Sequence, residues 1–223
     1  MMQKYQMIKK ALDISLASLI LLIFSPLLLL IAGLLLLLEG RPIFYISYRH
    51  IKPEKTIRTY KFRSMVRDAT HPRHRLQERF MQNGYLDIPL SCEVYTPIGR
   101  FLERTQLVEL LQLINVIFDG MSLVGNRPLP KANLEAMSHY PDWQKRFDSP
   151  CGLTGITQVV GKFNLQPESR LELEKLYAEN YQKANIVKCD FLIIFYTIRL
   201  LVFQKALPLE KAKALLTNNL PPA

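Results

Sequence analysis

The stretch ISLASLILLIFSPLLLLIAGLLLLL, residues 14–38, contains no charged side chain and decides what kind of protein this is. It is longer than the roughly 20 apolar residues that a helix needs to cross a bilayer. A cleaved signal peptide fits poorly, because the apolar run is too long for its hydrophobic region and no small-residue cleavage site follows. The sequence therefore predicts a membrane-inserted N-terminal segment.

The pair Ser25-Pro26 lies in the middle of this segment. Proline removes a backbone hydrogen bond and breaks or kinks a helix, while a preceding serine can satisfy the carbonyl that is freed. Each half would reach roughly 16–18 Å, about half the hydrocarbon thickness. Basic residues such as Lys10 and Arg41 flank both ends, and the positive-inside rule keeps such flanks in the cytoplasm. These features predict a re-entrant helix broken at Ser25-Pro26, with a kinked single span as the alternative.

Charge and cysteine usage bound the remaining function classes. The net charge is +10, and residues 40–80 carry eleven Lys/Arg against three acids, which favours an anionic partner. No helix-turn-helix or RNA-binding motif accompanies this basic segment, so we expect no nucleic acid partner. The three scattered cysteines predict neither a disulfide framework nor a structural zinc site, and indicate a reducing compartment.

The basic segment RPIFYISYRHIKPEKTIRTYKFRSM, residues 41–65, alternates aromatic and β-branched residues with basic ones. It predicts strands at residues 43–48 and 56–62 around a turn. Lys61 and Arg63 are two residues apart and so would point to one face of a strand. Two cations on one face indicate either a phosphate site or a solvated edge, and a neighbouring membrane segment favours phosphate.

Residues 106–128, QLVELLQLINVIFDGMSLVGNRP, place one acid, Glu109, inside a leucine-rich run. Thr96-Pro97 is typical of a helix start, and the apolar spacing predicts one helix to about residue 117. A short strand and a glycine turn would then present Arg127. On these residues alone, Glu109 is either a surface residue or a catalytic one.

The C-terminal part predicts a glycine-punctuated loop and strand that carries Gln158 and Lys162, followed by amphipathic helices. Residues 170–203 would form one or two helices. FLIIFYTIRLLVF, residues 191–203, is apolar enough to lie on a membrane surface or to be a buried core helix. It is too short to be a second span.

Several motifs, in order along almost the whole chain, resemble the bacterial sugar transferase family of monotopic polyprenyl-phosphate phosphoglycosyl transferases. YKFRSM resembles KFR-[ST]-M, and TPIGRFLERTQLVELLQLINV resembles G-R-F-L-R-x-[ST]-x-L-D-E-L-P-Q-L-x-N-V. MSLVGNRP resembles M-S-[LF]-V-G-P-R-P, and SPCGLTGITQVVGK resembles P-G-[LI]-T-G-x-x-Q-x-x-G-R. The Ser-Pro-broken opening segment and the C-terminal tail also resemble this family.

The resemblance implies an α+β, mostly helical protein on the cytoplasmic face of the bacterial inner membrane. A membrane-inserted hairpin (residues 1–40) would precede a small α/β catalytic domain with amphipathic surface helices (residues 41–205) and a C-terminal tail (residues 206–223). The implied reaction moves a sugar-1-phosphate from a UDP-sugar to polyprenyl (undecaprenyl) phosphate in polysaccharide synthesis. The implied partners are these two substrates, membrane lipids and other glycan-assembly enzymes. In the family, an Asp-Glu dyad works with Mg²⁺, and the aspartate attacks phosphorus.

The resemblance also assigns site residues. Glu109 would be catalytic and a magnesium ligand, and Lys61, Arg63 and Arg127 would bind substrate phosphate. The supporting residues would be Gln112, Asn115, Pro128 and Gln158.

This chain departs from the family pattern inside the site. Val108 occupies the position of the nucleophilic aspartate, and valine can neither attack phosphorus nor bind magnesium. Glu103 replaces an arginine, Leu111 replaces a proline, and Asn126 replaces the proline of G-P-R-P. Two hypotheses follow: an active transferase that relies on Glu109 or another nucleophile, and a catalytically degenerate relative that binds ligand or serves as a scaffold at the membrane.

Overall fold

The computed structural model describes residues 2–82, 85–86, 88–161, 165–183 and 186–217. Its longest element is helix α1 (Met2–Leu38), which at 1.5 Å per residue reaches roughly 55 Å. The part Lys4–Leu38 is long and apolar enough to cross a membrane, and only 17% of its most apolar 18-residue stretch is buried against the rest of the chain. The predicted apolar N-terminal helix is therefore confirmed.

Helix α1 continues through Pro26 without a break. Proline cannot donate to the carbonyl of Leu22, and the hydroxyl of Ser25 donates to that oxygen instead, at 2.7 Å. This is the predicted role of the serine. The division into two helices is not seen, so the re-entrant path stays a prediction.

A β-hairpin follows α1, as predicted, although its first strand is longer than expected. β1 (Phe44–Lys52) pairs antiparallel with β2 (Lys55–Phe62), with Tyr45 opposite Lys61 and Arg49 opposite Ile57. Opposed residues share a face of a sheet, and so do residues two apart on one strand. Arg49 and Lys61 therefore lie on the same face of the hairpin.

The remaining elements are short except for two C-terminal helices. In chain order they are α2 (Leu76–Phe80), β3 (Met81–Gln82), β4 (Tyr85–Leu86), α3 (Pro97–Arg104), α4 (Leu113–Phe118), β5 (Ser122–Val124), α5 (Lys131–Met137), β6 (Gly152–Thr154), α6 (Ile156–Val160), α7 (Pro167–Tyr181), α8 (Ile186–Phe203) and α9 (Leu209–Thr217). β3 pairs with β4 antiparallel, and β5 pairs with β6 in parallel. The mostly helical α+β class is confirmed.

The prediction of one helix from Pro97 to about residue 117 is wrong. Thr96 does cap α3, since its hydroxyl accepts from the Gly99 N–H at 2.9 Å. The chain then turns at Gln106, whose φ of 60° is left-handed, and forms a 3-10 helix over Leu107–Gln112 before α4 begins. Consecutive side chains of a 3-10 helix are about 120° apart, so neighbouring residues of this segment face different parts of the protein.

The main hydrophobic core lies between α1, the β5–β6 pair and helices α4 and α6–α9. A second cluster joins the distal half of α1 to the hairpin and the 3-10 helix. Its buried members are Leu28, Ile31, Leu35, Phe62, Leu102 and Val108. The membrane-type helix is therefore packed on the domain at two places along its length.

A buried polar network also joins α1 to the domain. The ammonium of Lys9, only 3% exposed, donates to Asp13, to Asp190 of α8 and to the carbonyl of Val124 of β5. The Tyr177 hydroxyl lies 2.8 Å from Asp190. Because buried charges are stable only when paired, this network fixes the start of α1 against β5 and α8.

Helix α8 covers most of the residues that the sequence assigned either to a membrane surface or to a core. Its two faces differ, so the core assignment is confirmed for one face and the membrane-surface assignment stays a prediction for the other. Ile193 is fully buried, whereas Phe191, Phe195 and Val202 are 58%, 59% and 65% exposed. One face therefore packs on the domain core, and the other presents apolar side chains that nothing in the described chain covers.

Candidate active site

The carboxylate of Glu109 is held between two cations from different elements. Lys61 of β2 donates to Oε1 at 2.6 Å, and Arg127, just after β5, donates to the same oxygen at 2.7 Å. A second nitrogen of Arg127 lies 3.4 Å from Oε2. The side chains of Glu109 and Lys61 are only 10% and 16% exposed. The three residues that the sequence nominated from separate motifs thus meet in one half-buried cluster.

A third cation, Arg49, belongs to this cluster and was missed as a site residue by sequence reasoning. Burial lowers the pKa of its guanidinium first, and the neighbouring positive charge of Arg127 lowers it further. Its Nε donates to the Ser47 hydroxyl at 3.3 Å, and among the described residues no carboxylate forms an ion pair with it. The signal that identifies it is the strand register, which puts Arg49 on the hairpin face of Lys61.

Burial and the neighbouring charges shift the pKa values of Glu109 and Lys61. Burial alone would raise the pKa of the Glu109 carboxyl, but the charges of Arg127 and then Lys61 outweigh it and hold that pKa well below its usual range. Burial lowers the pKa of Lys61, against the opposing pull of Glu109. Glu109 is therefore a carboxylate at neutral pH. With Arg49, Lys61 and Arg127 positively charged around it, the cluster carries a net charge of about +2, which suits an anionic ligand.

Val108, the neighbour of Glu109, faces the other way. It has no exposed surface and packs in the second apolar cluster with Leu28, Leu35 and Phe62. The 3-10 geometry explains how Val108 lies in the cluster that includes residues of α1 while Glu109 binds Lys61 of the hairpin. The position that the resemblance assigns to a nucleophile is thus a core position in this chain.

Arg63 and Lys61 make separate sets of contacts. β2 ends at Phe62, and the Arg63 guanidinium donates to the Pro42 carbonyl at 2.6 Å and to the Glu39 carbonyl and carboxylate at 3.1 and 3.2 Å. A cation at the carbonyl end of a helix is a stabilising arrangement, so these bonds fix the exit from α1. The phosphate-binding role of Arg63 stays a prediction.

The acid that replaces the family's arginine also has a local partner. Glu103 accepts from the Ser64 hydroxyl at 2.8 Å. The other acid near the turn, Asp119, accepts from the Asn115 amide at 2.7 Å. Both acids therefore have partners outside the Glu109 cluster.

The predicted supporting residues make different local contacts, and their role at the site stays a prediction. Asn115 is fully buried and donates to the Arg58 carbonyl at 2.6 Å, which ties α4 to β2. Pro128 is buried beside Arg127. Gln112 is 4% exposed, and its amide nitrogen has no hydrogen-bond partner in the described part of the chain. Gln158 lies in α6 and contacts Thr157 at 3.0 Å. Lys162 lies outside the described residues.

The residues present do not fit a resident magnesium ion. Magnesium takes oxygen ligands in a near-octahedral arrangement. Within the described ranges, no group of three or more acidic, histidine or cysteine side chains is placed to hold a metal. Glu109, the one carboxylate of this cluster, already accepts from Lys61 and Arg127. The valine at position 108 offers no oxygen.

Comparison with known proteins identifies the family of this chain. The family model described as bacterial sugar transferase matches residues 4–204. The chain is 31% identical over 202 residues to the exopolysaccharide production protein ExoY of Sinorhizobium fredii, covering 85% of this chain and 83% of that protein. It is 33% identical over 198 residues to the UDP-glucose:undecaprenyl-phosphate glucose-1-phosphate transferase of Escherichia coli. It is 30% identical over 203 residues to the undecaprenyl-phosphate galactose phosphotransferase of Salmonella typhimurium.

Coverage differs between these relatives. The matches span 85% and 87% of this chain but 40% of the Escherichia coli and Salmonella proteins, whereas ExoY is matched over most of its length. The match to the family model includes α1, the hairpin, the 3-10 helix with Glu109 and the turn with Arg127. The chain therefore belongs to the bacterial sugar transferase family, as its motifs predicted.

Proposed function

We propose that this protein transfers a sugar-1-phosphate from a UDP-sugar to undecaprenyl phosphate at the membrane. The observation that carries the proposal is the cluster in which Glu109 is held by Lys61 and Arg127 beside Arg49. Three cations around one carboxylate suit a reaction in which every substrate carries phosphate. The relatives whose names state this reaction in Escherichia coli and Salmonella support the choice of substrates.

In this proposal, the cations exchange partners when the donor binds. Lys61 and Arg127 donate to Glu109 in the free protein, and they would donate to the diphosphate of the UDP-sugar in the complex. Because the charge of a diphosphate exceeds that of one carboxylate, the exchange is electrostatically favourable. The same donors would then neutralise the charge that develops on the leaving UMP, as preorganised donors do in other transferases.

Glu109 would act as the nucleophile once its cations are shared with the donor. A carboxylate oxygen forms a bond to the phosphorus that carries the sugar, the bond from that phosphorus to the bridging oxygen breaks, and UMP leaves with the electron pair. An oxygen of undecaprenyl phosphate then attacks the same phosphorus and expels the Glu109 carboxylate. Two steps on one carboxylate keep the two anionic substrates apart.

Magnesium has its place on the substrate in this proposal, since the residues around Glu109 do not fit a resident ion. Magnesium in phosphoryl-transfer sites is commonly bound through substrate phosphates and water. We expect the donor to enter with the ion on its diphosphate. Gln112, with its buried amide nitrogen, is placed three residues after Glu109 and would donate to the bound donor.

The membrane arrangement is also a proposal. We assign residues 1–40 to the membrane segment, in which the apolar residues 14–38 contact lipid while Lys9 holds the start of α1 on the domain. We place residues 41–205 on the cytoplasmic side of the inner membrane, with residues 206–223 as a tail. A re-entrant path would require α1 to bend at Ser25-Pro26. The uncovered apolar surface of α1 and of the outer face of α8 supports contact with lipid. Within the tail, Leu215 and Leu216 of α9 pack in the main core, so this part of the tail is docked on the domain.

A second candidate function is favoured by Val108. The absence of a carboxylate at this buried position leaves Glu109 as the one acid that the described residues bring to the cluster. A protein that binds UDP-sugar or lipid phosphate without transferring it would need the cations and not a nucleophile. Such a protein would serve as a ligand-binding or scaffold partner of other glycan-assembly enzymes.

One assay separates the two candidates. The purified protein in nanodiscs receives undecaprenyl phosphate, magnesium and a panel of UDP-sugars, and UMP release is measured beside Glu109→Gln. Glu103→Gln is the matched control, because Glu103 is bound to Ser64 and not to the cations. Release that is lost in Glu109→Gln alone supports the transferase. UDP binding without release from any donor supports the ligand-binding candidate.

A further inference from the structure

Arg127 is attached to a buried ion pair that the reaction itself does not use. Arg146 and Glu174 of α7 are both 0% exposed, and the Arg146 Nε lies 2.7 Å from a Glu174 oxygen. Another nitrogen of Arg146 donates to the main-chain carbonyl of Arg127 at 2.7 Å. A fully buried pair of charges therefore ends on the backbone of the residue whose side chain binds Glu109.

Asn126 joins the same arrangement from the other side of the peptide. Its amide nitrogen lies 2.8 Å from the Arg146 carbonyl, 3.0 Å from the Glu174 carbonyl and 3.2 Å from the Ser149 hydroxyl. At this position the family motif has proline, which fixes the backbone through its ring. In this chain the Asn126 amide instead donates hydrogen bonds to the carbonyls of Arg146 and of Glu174 in α7.

The backbone before Arg127 is also held by hydrogen bonds to β6. The Gly152 N–H donates to the Asn126 carbonyl at 2.9 Å, and the Gly125 N–H donates to the Thr154 carbonyl at 2.9 Å. A Cβ at Gly125 would lie 2.3 Å from the Pro150 carbonyl oxygen, so the approach of the two segments requires glycine. The peptide of Arg127 is thus held by α7, by β6 and by the segment around Arg146.

A buried ion pair is a weak means of stabilising a fold, because desolvation of both charges offsets their attraction. Its value lies in geometry when it fixes a functional group. We propose that Arg146, Glu174 and Asn126 are positioning residues that fix the main chain of Arg127 and so aim its guanidinium at Glu109 and at the donor's diphosphate. This inference rests on the proposed function for its substrate, though not for its geometry.

The test replaces the pair as a unit, since removing one partner leaves a buried charge unpaired and strongly destabilises the fold. Four proteins are compared in nanodiscs: the unaltered chain, Arg127→Ala, the double variant Arg146→Met with Glu174→Leu, and the triple variant. We expect the double variant to weaken UDP binding, and to lower kcat/KM for UMP release, by about tenfold to a hundredfold. In the Arg127→Ala background the same replacement should change neither value by more than about twofold.

The control variant is Asn180→Ala. Asn180 is also buried on α7, but it donates to the Leu176 and Leu216 carbonyls and does not touch the Arg127 segment. It should lower thermal stability without changing UDP affinity. If the pair were only structural, its effect would multiply with that of Arg127→Ala, and that result overturns the proposal.

Hydrogen exchange supplies a readout that needs no substrate. Amides of residues 122–130 should exchange faster in the double variant, while those of the β1–β2 hairpin should not change. Unaltered exchange in a folded double variant overturns the positioning role, whether or not the chain is active. A third outcome is that exchange is faster, that the double variant weakens UDP binding only when Arg127 is present, and that no donor gives UMP release. This outcome would support the positioning role and refute the transferase function. If UDP does not bind the unaltered chain, the exchange result alone decides.

Discussion

Restoring a carboxylate at position 108 tests the interpretation of this residue as part of the core. In Val108→Asp, the introduced carboxyl would replace an apolar side chain with no exposed surface, packed against Leu28, Leu35 and Phe62. A carboxyl buried among apolar groups has its pKa raised, by about 3 units at the lower end of the documented range. Starting from the usual value near 3.9, its folded-state pKa would be about 7.

The size and pH dependence of the effect follow from this shift. Each unit of pKa corresponds to about 1.4 kcal/mol, so the charge alone should lower the free energy of unfolding by about 4 kcal/mol at pH 8 and by about 1.5 kcal/mol at pH 5. The sign is that of an acid whose pKa is raised on folding: the variant is least impaired at low pH and loses stability as pH rises through about 7. For a chain of this size, 4 kcal/mol corresponds to a loss of roughly 8–16 °C in Tm.

The assay is thermal unfolding in nanodiscs between pH 5 and 8, with Val108→Thr as the matched control. Threonine has the shape of valine and carries a hydroxyl, so its deficit of about 1–3 kcal/mol should not depend on pH. UMP release is measured in parallel, and we expect no gain from Val108→Asp because its carboxyl would be turned toward α1. A variant as stable as the unaltered chain at pH 8 would refute the core assignment. A large gain in UMP release would refute Glu109 as the sole nucleophile.

Three further predictions concern charged residues. Lys9→Met should lower the free energy of unfolding by about 3–5 kcal/mol, because it leaves the buried carboxylates of Asp13 and Asp190 without their cation. Replacement of the exposed Lys10 by Met should change this free energy by less than about 0.5 kcal/mol. Thermal unfolding of the two variants measures the difference. Glu109→Gln should abolish UMP release while keeping UDP binding, measured by calorimetry, since the cations lose a competitor. Lys61→Met should raise the pKa of Glu109 and weaken UDP binding. An acid whose pKa is lowered on folding stabilises the fold above its unfolded-state pKa, and this contribution is lost as the pH falls. Unfolding curves should therefore show Lys61→Met losing less stability than the unaltered chain below about pH 4.

The parts of the fold that follow from local pattern could be predicted from the sequence. The apolar run gave α1, the alternation of residues gave the hairpin, and Thr96-Pro97 gave the start of α3. Even the hydrogen bond from Ser25 to the Leu22 carbonyl follows from the chemistry of proline. These features depend on residues close together in the chain.

The turn at Gln106 could not be predicted in this way. Left-handed backbone is most often signalled by glycine or asparagine, and glutamine carries no such signal. The turn separates α3 from the 3-10 helix and so decides that Val108 faces α1 and Glu109 faces Lys61. Tertiary packing on both sides overrides the helical periodicity of the leucines.

Most residues of the candidate site could be named from the sequence, but their contacts could not. Lys61, Glu109 and Arg127 were nominated from three motifs and lie together. Arg49 was missed because its place depends on the strand register, which a one-residue slip would reverse. The bonds of Arg63 to the end of α1 were missed because they depend on where β2 stops.

The two departures from the family motif at positions 108 and 126 differ in physical character. At position 126 the ring of proline is replaced by an amide that bonds Arg146 and Glu174, so the position of Arg127 is still fixed, by other means. At position 108 the family motif has aspartate, and this chain has a valine buried in the apolar cluster that also contains residues of α1, so an acid is exchanged for a core residue. Among the described residues of the cluster, Glu109 is the one carboxylate, and it faces the three cations Arg49, Lys61 and Arg127. That imbalance strengthens anion binding, and it also ties up Glu109 until a donor takes over its cations. Because the same cations neutralise the charge on the leaving UMP, removal of Lys61 or Arg127 should lower both donor affinity and the rate of UMP release.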